Sequence, residues 1–357
     1  MKGLVLSGGS GTRLRPLTHT GPKQLIPVAN KPVLQYVIED LRDAGVTDIG
    51  VILGNNGKEQ VIAELKDGQQ YGVRITYIEQ GAPLGIAHAV QCAKEFMGDD
   101  DFIVYLGDNM LKNGVKGLVD DFREGGYDAA ISLQSVPNPR QFGVAELDKK
   151  GRVIGLEEKP KVPKSNYALV GVYLFTPVIF DMIKQIKPSW RNELEITDAI
   201  QKLLDNKYKV RSHIVTGWWK DTGKPEDILD VNRLVLDELK PLVEGNVEEG
   251  ASLVGRVSVG RNSVICAGCM IRGPVVIGKD CTIEAGTYIG PYTAVGDGCK
   301  VKGAYIESSV LMAGCSVSCE NRIVDSLIGK NAIIASANSD LPRGTRLIVG
   351  ENSFLKI

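Results

Sequence analysis

Residues 4–27 read LVLSGGSGTRLRPLTHTGPKQLIP. A short apolar run leads into Gly8, Gly9 and Gly11, and then come Thr12, Arg13, Arg15 and Lys23. Apolar residues followed by glycines predict a β-strand ending in a tight turn. Glycine lets backbone approach a ligand closely and adopt positive φ. Consecutive N–H groups in such a turn form an anion-binding concavity. Arginine and lysine add charge, and the planar guanidinium fork suits phosphate oxygens. Three glycines alone would be read as a plain strand-to-helix turn. With three cations following in order, the stretch reads as a phosphate loop. It is not a Walker A loop, because Gly-Lys-Ser/Thr is missing at the required distance. It is not a Rossmann fingerprint either. The third glycine position holds Leu14, and residues 28–35 contain no acidic residue to hold a ribose.

Outward from the loop, the pattern alternates strand and helix up to about residue 240. IGVILG (49–54) and DFIVYLGD (101–108) are short, β-branched apolar runs, the signature of strands covered on both faces. NKPVLQYVIEDLRDAG predicts a helix between them. Pro32 suits its first turn, Val33, Val37, Ile38 and Leu41 form one stripe, and Gly45 stops it. PLGIAHAVQCAKEFMG predicts another helix, with Cys92 on its buried side. Such alternation implies an α/β sandwich with a mostly parallel sheet, whose ligands bind beyond the carboxyl ends of the strands. The glycine loop and Asp108 both fall at strand ends, so one cleft can receive both.

After about residue 245 the pattern changes. Val259, Ile265, Ile271, Ile277, Ile283, Ile289, Val295 and Val301 recur at a spacing of six. Four residues after each stand Ser263, Cys269, Val275, Cys281, Thr287, Thr293, Cys299 and Tyr305, all small but the last. Gly260, Gly278 and Gly296 lie three hexads apart. This is the hexapeptide signature of a parallel β-helix, three hexads to a coil. The register breaks between Val301 and Leu311 and resumes at Leu311, Val317 and Ile323. Six of the seven cysteines lie beyond residue 260, and Cys269, Cys281 and Cys299 occupy the small slots as core filler. CAGC at 266–269 has the inner spacing of a zinc knuckle, but no second pair follows and residues 246–357 hold no histidine.

The composition, 43% apolar and 24% charged, is that of an ordinary globular protein of two or more domains. A net charge of −1 offers no electrostatic case for nucleic acid or for anionic membrane. No apolar run is long enough to span a bilayer, and the start MKGLVLSGG lacks a signal-peptide core. A cytoplasmic location is expected.

LSGGSGTRLRPLT followed by PKQLIPVANKPV resembles the sugar-1-phosphate nucleotidylyltransferases. LGDN at 106, FGVAELD at 142, GLEEKP at 155, SNYALVGVYLF at 165, ELEITDAI at 193 and WWKDTG at 218 extend the resemblance, in order, over residues 1 to about 240. It is nearest to the glucose-1-phosphate thymidylyltransferases, in the long form with a C-terminal left-handed β-helix. The fold so implied is α/β: a Rossmann-like nucleotidyltransferase with a mixed, mostly parallel sheet (residues 1–240), then a left-handed β-helix (246–357). The implied reaction joins dTTP, or UTP, to glucose 1-phosphate, releases pyrophosphate and opens dTDP-deoxysugar synthesis. A phosphate monoester is largely ionised near pH 7, so no general base is needed. The site must neutralise charge and align an in-line attack.

The resemblance also implies roles. Leu6, Gly8, Gly9, Ser10, Gly11, Thr12 and Arg13 match the nucleotide loop, with Arg13 on the leaving pyrophosphate. Lys23 matches a lysine near the α-phosphate and the attacking oxygen. Asp108 and Asp221 match two Mg²⁺ carboxylates, a normal protein share for that ion. Gln80, Pro83 and Gly85 match the base segment, where Gln80 can offer a donor and an acceptor. Gln24 matches a residue beside the nucleoside sugar. Gly143, Glu158, Lys159, Leu169 and Tyr173 match the hexose pocket, with Lys159 on the sugar phosphate and Glu158 on hydroxyls. Arg191 is a further phosphate-side candidate. Ser7 stands where alanine is usual, and Phe142 replaces the tyrosine common in short-form enzymes, phenylalanine being usual in long ones. The regulatory nucleotide site of short-form enzymes sits on helices replaced here by the β-helix, so it is not carried over.

Three rivals are weighed against this reading. A uridylyltransferase of the same fold differs only in small contacts to a methyl and a hydroxyl. A catalytically dead subunit would have lost Arg13, Lys23, Asp108 or Asp221, and all are present. An acyltransferase β-helix usually needs a histidine base, and residues 214–357 contain none. The β-helix is therefore expected to serve stability and assembly into a homo-oligomer.

Overall fold

The computed structural model describes residues 1–9 and 11–336; Ser10 lies outside the described residues. The chain divides into two compact units, Met1–Val231 and Asn232–Ile357.

In the first unit a mixed nine-stranded sheet carries the site. Its parallel part brings together Phe102–Leu106, Lys2–Ser7, Asp48–Leu53 and Arg74–Glu79, side by side in that order. Tyr167–Phe175 then pairs antiparallel with Phe102–Leu106, Ala129–Ser135 and Gly143–Leu147. The central strands are covered on both faces, which is why they read as unbroken apolar runs. Leu4, Leu6 and Val104 pack with Ala87, Val90 and Ile200 on one face. Val5, Ile103 and Tyr105 pack with Val37, Ile38 and Leu41 on the other.

The helix Val33–Asp43 forms where the stripe predicts it and buries Val33, Leu34, Val37, Ile38 and Leu41. It stops at Gly45, whose φ of 75° only glycine adopts cheaply. The N–H groups of Gly45 and Val46 bond back to Arg42 and Leu41 at 2.8 and 2.9 Å, satisfying the last carbonyls. The second expected helix is divided into Ile86–Cys92 and Lys94–Met97. Cys92 is half-buried and packs against the core.

In the second unit, among the described residues, the hexads close into three parallel sheets of six, five and five strands, as expected of the left-handed β-helix. All eight apolar hexad positions from Val259 to Val301 are buried. The small slots are buried as well, except Tyr305, which is 50% exposed. The exception has a geometric cause. Val264 pairs with Thr282, eighteen residues on, but Tyr288 pairs with Tyr305 and Ala294 with Val310. The coil is one and then two residues short, so Ala304 takes the small slot and Ile306 the apolar position beside Ile289, and Tyr305 falls beside the half-exposed Tyr288. Gly260 and Gly296 sit where coils touch: a Cβ on either would meet backbone of the next coil at 2.6 Å. The cysteines are free thiols; Cys269 Sγ donates to the carbonyls of Ile283 and Glu284 at 3.3 and 3.0 Å.

Candidate active site

The glycine loop leaves the carboxyl end of Lys2–Ser7, the innermost parallel strand. Gly9 (φ 138°) and Gly11 (φ 57°) take conformations that side chains resist. Thr18 Oγ1 donates to Gly11 O at 2.7 Å and closes the loop. The loop lies against the neighbouring strand end, where a Cβ on Gly54 would meet Gly8 Cα at 3.0 Å. Thr12 and Arg13 are exposed on a short helical turn, Thr12–Leu14. Leu6 is different: its side chain is in the core, and its carbonyl accepts from Gly107 N at 3.0 Å.

Gly107 and Asp108 follow the adjacent strand, Phe102–Leu106, so Asp108 stands beside the loop. Lys23 Nζ donates to Asp108 Oδ2. Burial opposes the charge on Lys23, but Asp108 and then Asp221 more than offset it, and its pKa is raised. Asp221 arrives from far along the chain. Its strand, Trp219–Asp221, pairs antiparallel with Asn109–Leu111. Thr222 clamps the join, donating from N at 2.9 Å and from Oγ1 at 2.8 Å to Asp108 O. Burial and the charge of Asp108 raise the pKa of Asp221, while Lys23 and Arg13 lower it. Asp221 Oδ1 is buried with no hydrogen-bond partner. Two carboxylates, one with an orphaned buried oxygen, fit a hard divalent cation that takes its remaining ligands from water and phosphate. Gly223 makes room for the charge next door: a Cβ there would meet Arg13 Nη2 at 2.7 Å.

A cavity of about 580 Å³ is lined by Arg13, Phe142, Lys159, Trp219, Asp221 and Lys224. It joins the loop cation and the Asp221 carboxylate to Lys159. Lys159 holds φ at 43°, an unfavourable value for a lysine, and its N–H bonds Phe142 O at 3.0 Å. Phe142 packs edge-on against Trp219 at 5.3 Å, and Trp219 Nε1 donates to Asn109 Oδ1 at 2.6 Å. Beyond Lys159, a Cβ on Gly143 would meet Thr197 Cγ2 at 2.6 Å, Glu158 Oε2 at 3.0 Å and Leu169 Cδ1 at 3.4 Å. Those four residues therefore converge. Burial and the Glu195 charge raise the pKa of Glu158, and Tyr173, buried nearby, is raised by burial and by Glu158. Arg191 is held among carboxylates. It meets Glu193 at 2.6 Å, Glu195 at 3.0 Å and Glu158 at 3.8 Å.

On the opposite side, Gln80 follows the strand Arg74–Glu79, and its Oε1 faces Gly8. Gln24 is buried, donating to Gly8 O at 3.4 Å. Pro83 is exposed. Gly85 (φ 104°) lies so close to Leu194 that a Cβ would meet its carbonyl at 2.5 Å. Leu194 N donates to Leu84 O at 2.7 Å, and Ala87 N to Leu194 O at 3.1 Å. These bonds tie the segment around Gly85 to the ELEITD segment. Sequence reasoning missed Gly54, His88, Thr222 and Gly223. The two glycines carry a signal of close approach, and Thr222 and Gly223 lie inside the KDTG motif already singled out.

Comparison with known proteins agrees with this geometry. A nucleotidyl transferase family model matches residues 2–238, and a model named GMPPB C-terminal domain matches 271–340. A low-salt glycan biosynthesis nucleotidyltransferase of Haloferax volcanii is 56% identical over all of both chains. A glucose-1-phosphate thymidylyltransferase of Streptomyces antibioticus is 50% identical over 100% of this chain and 99% of its own. A Bacillus anthracis structure assigned as a glucose-1-phosphate thymidylyltransferase, solved with sucrose, superposes with a TM-score of 0.62 at 38% identity. That match covers 66% of this chain and 94% of the other. A glycine loop at a strand end, paired acidic strand ends and full-length likeness lead to one conclusion: the chain belongs to the nucleotidyl transferase family, and it matches the glucose-1-phosphate thymidylyltransferases from end to end.

Proposed function

We propose that the protein transfers a thymidylyl group from dTTP to glucose 1-phosphate, with Mg²⁺, forming dTDP-glucose and pyrophosphate. The observation that carries this is the single cavity in which Arg13, Asp221 and Lys159 meet. It offers cationic groups to phosphates and a carboxylate to a metal ion. Asp108 and Asp221 would hold the metal ion, which when bound screens phosphate charge and helps orient the triphosphate. The glycine loop receives the triphosphate on its N–H groups, and Arg13 stabilises the leaving pyrophosphate. Lys23, already charged and held by Asp108, stands at the α-phosphate. Lys159 binds the sugar phosphate and aims its oxygen in line. Catalysis on this reading is alignment and charge neutralisation, with no proton to abstract. Glu158, beside Gly143 and Leu169, takes the hexose hydroxyls. Gln24, Gln80, Pro83 and Gly85 take the nucleoside, and Arg191 acts indirectly, by fixing Glu158 and Glu195.

The test is direct. Purified protein with Mg²⁺ is given dTTP or UTP and glucose 1-phosphate, and the products are resolved by chromatography. dTDP-glucose and pyrophosphate are expected, with reversal on adding pyrophosphate. If no pyrimidine nucleotide is turned over with any hexose 1-phosphate, the proposal fails. If UTP exceeds dTTP about tenfold in kcat/KM, the fold-level reading stands and the nucleotide is corrected.

A further inference from the structure

The base end of the site contains a histidine with no part in the reaction just described. Gln80 Nε2 lies 3.2 Å from Gly85 O and 3.3 Å from His88 Nδ1. Its Oε1 is the atom that a Cβ on Gly8 would meet, at 3.2 Å. A backbone carbonyl can only accept, so the amide atom against Gly85 is nitrogen and the oxygen is turned toward the glycine loop. That nitrogen carries two hydrogens. Gly85 takes one, and His88 Nδ1 takes the other in the tautomer that carries its hydrogen on Nε2. Both donors are then spent inside the protein. Gln80 could have offered a donor and an acceptor to a base; so held, it offers an acceptor alone. In thymine and uracil, N3 carries a hydrogen. In cytosine, N3 is itself an acceptor and would face Oε1 lone pair to lone pair.

We infer that His88 is a positioning residue for base selection: its Nδ1 locks the Gln80 amide so that only an oxygen faces the base, favouring pyrimidines with an N3–H. The inference rests on the proposed nucleotide site. The holder is itself held. His88 and Cys92 lie one turn apart on the helix Ile86–Cys92, with Cys92 Sγ at 4.0 and 3.9 Å from the two ring nitrogens. Gly85 is pinned by the backbone bonds of Leu84 and Ala87 to Leu194. Without His88, the bond to Gly85 alone opposes rotation of the amide and its second N–H is no longer spent inside the protein, which weakens the penalty against cytosine.

The experiment measures kcat/KM for dTTP, UTP and dCTP with glucose 1-phosphate and Mg²⁺, using the full chain and its His88→Leu and His88→Asn variants. Asparagine keeps an acceptor near the place of Nδ1. The dTTP:dCTP ratio is expected to fall about tenfold or more in His88→Leu, the scale of one mispaired buried polar group, and to return toward wild type in His88→Asn. A ratio within about twofold of wild type in His88→Leu overturns the inference. If the wild type turns over neither dTTP nor UTP, the functional proposal falls and this inference with it. If the wild type prefers them over dCTP and the ratio is unmoved, only the inference falls. A second measurement needs no variant to fold. The chain has three histidines, so ¹⁵N NMR resolves the His88 ring. Hydrogen on Nε2 with bare Nδ1 is expected, and a protonated Nδ1 in the neutral ring overturns the inference.

Discussion

Lys23, Asp108 and Asp221 place one positive and two negative charges in a half-buried space, where each is costly without the others. Asp108→Asn and Asp221→Asn are each expected to lower kcat at least about a hundredfold, as when one preorganised electrostatic group is lost. Steady-state rates at saturating Mg²⁺ check this, and near-wild-type activity would remove that carboxylate from the metal site. Asp40 is a further, half-buried acid, remote in role from these. It accepts from Tyr105 Oη at 2.9 Å, yet burial outweighs that bond and raises its pKa to about 7. The folded protein therefore holds this proton more tightly than the unfolded chain, whose aspartates titrate near about 3.9. The stability it contributes is full below that value and is lost as pH rises through 7. Asp40→Asn should accordingly gain on wild type between pH 5 and pH 8, by roughly 5–10 °C in Tm. Scanning calorimetry at the two pH values checks it; an equal difference at both would exclude the coupling. Lys23, Asp108 and Asp221 were legible from their motifs. The orientation of Gln80 was not, because it depends on an acceptor eight residues away that no motif marks.

Elements obey their local pattern where packing asks nothing else of them. The helix Val33–Asp43 follows its stripe and stops at its glycine. The β-helix follows its hexads until the coil shortens, and Tyr305 is then displaced outward. Each inward hexad residue is fully enclosed, so Ile283→Ala should cost about 2–5 kcal/mol from lost burial and the cavity left behind. Urea unfolding of the full chain, followed by a probe in the second unit, measures it. Glycines divide by their surroundings. Gly117 is exposed in the helix Lys116–Gly125 with open space where a Cβ would go, so Gly117→Ala should stabilise by about 0.4–1 kcal/mol. Gly260, whose Cβ would strike Gly278 O at 2.6 Å, should lose stability on the same change. If both shifted Tm in one direction, coil contact would not be the reason for the glycine column.

For the whole molecule, we propose residues 1–240 as the catalytic module and 246–357 as the assembly and stability module. Within the second unit, Asn232 Nδ2 donates to Tyr292 O at 3.0 Å, Tyr292 Oη to Asp237 Oδ1 at 3.1 Å, and Arg233 pairs with Asp325. Truncation after Gly245 deprives residues 232–237 of those partners. It should lower thermal stability and change the mass seen by light scattering, while any folded remainder keeps Mg²⁺-dependent nucleotidyl transfer. An unchanged mass would speak against assembly through the β-helix. Among the described residues, no helix is long and apolar enough to cross a membrane. Strand and helix order, the phosphate loop and the hexads were readable from spacing alone, because pleat, helical turn and coil each impress a fixed period on neighbouring residues. The meeting of Lys23 with Asp108, the clamp of Thr222 on Asp108 and the reach of Arg191 to Glu158 were not. Those contacts depend on strand order and pairing, which join residues as many as 114 positions apart. Side-chain direction completes them, and local spacing carries no record of either.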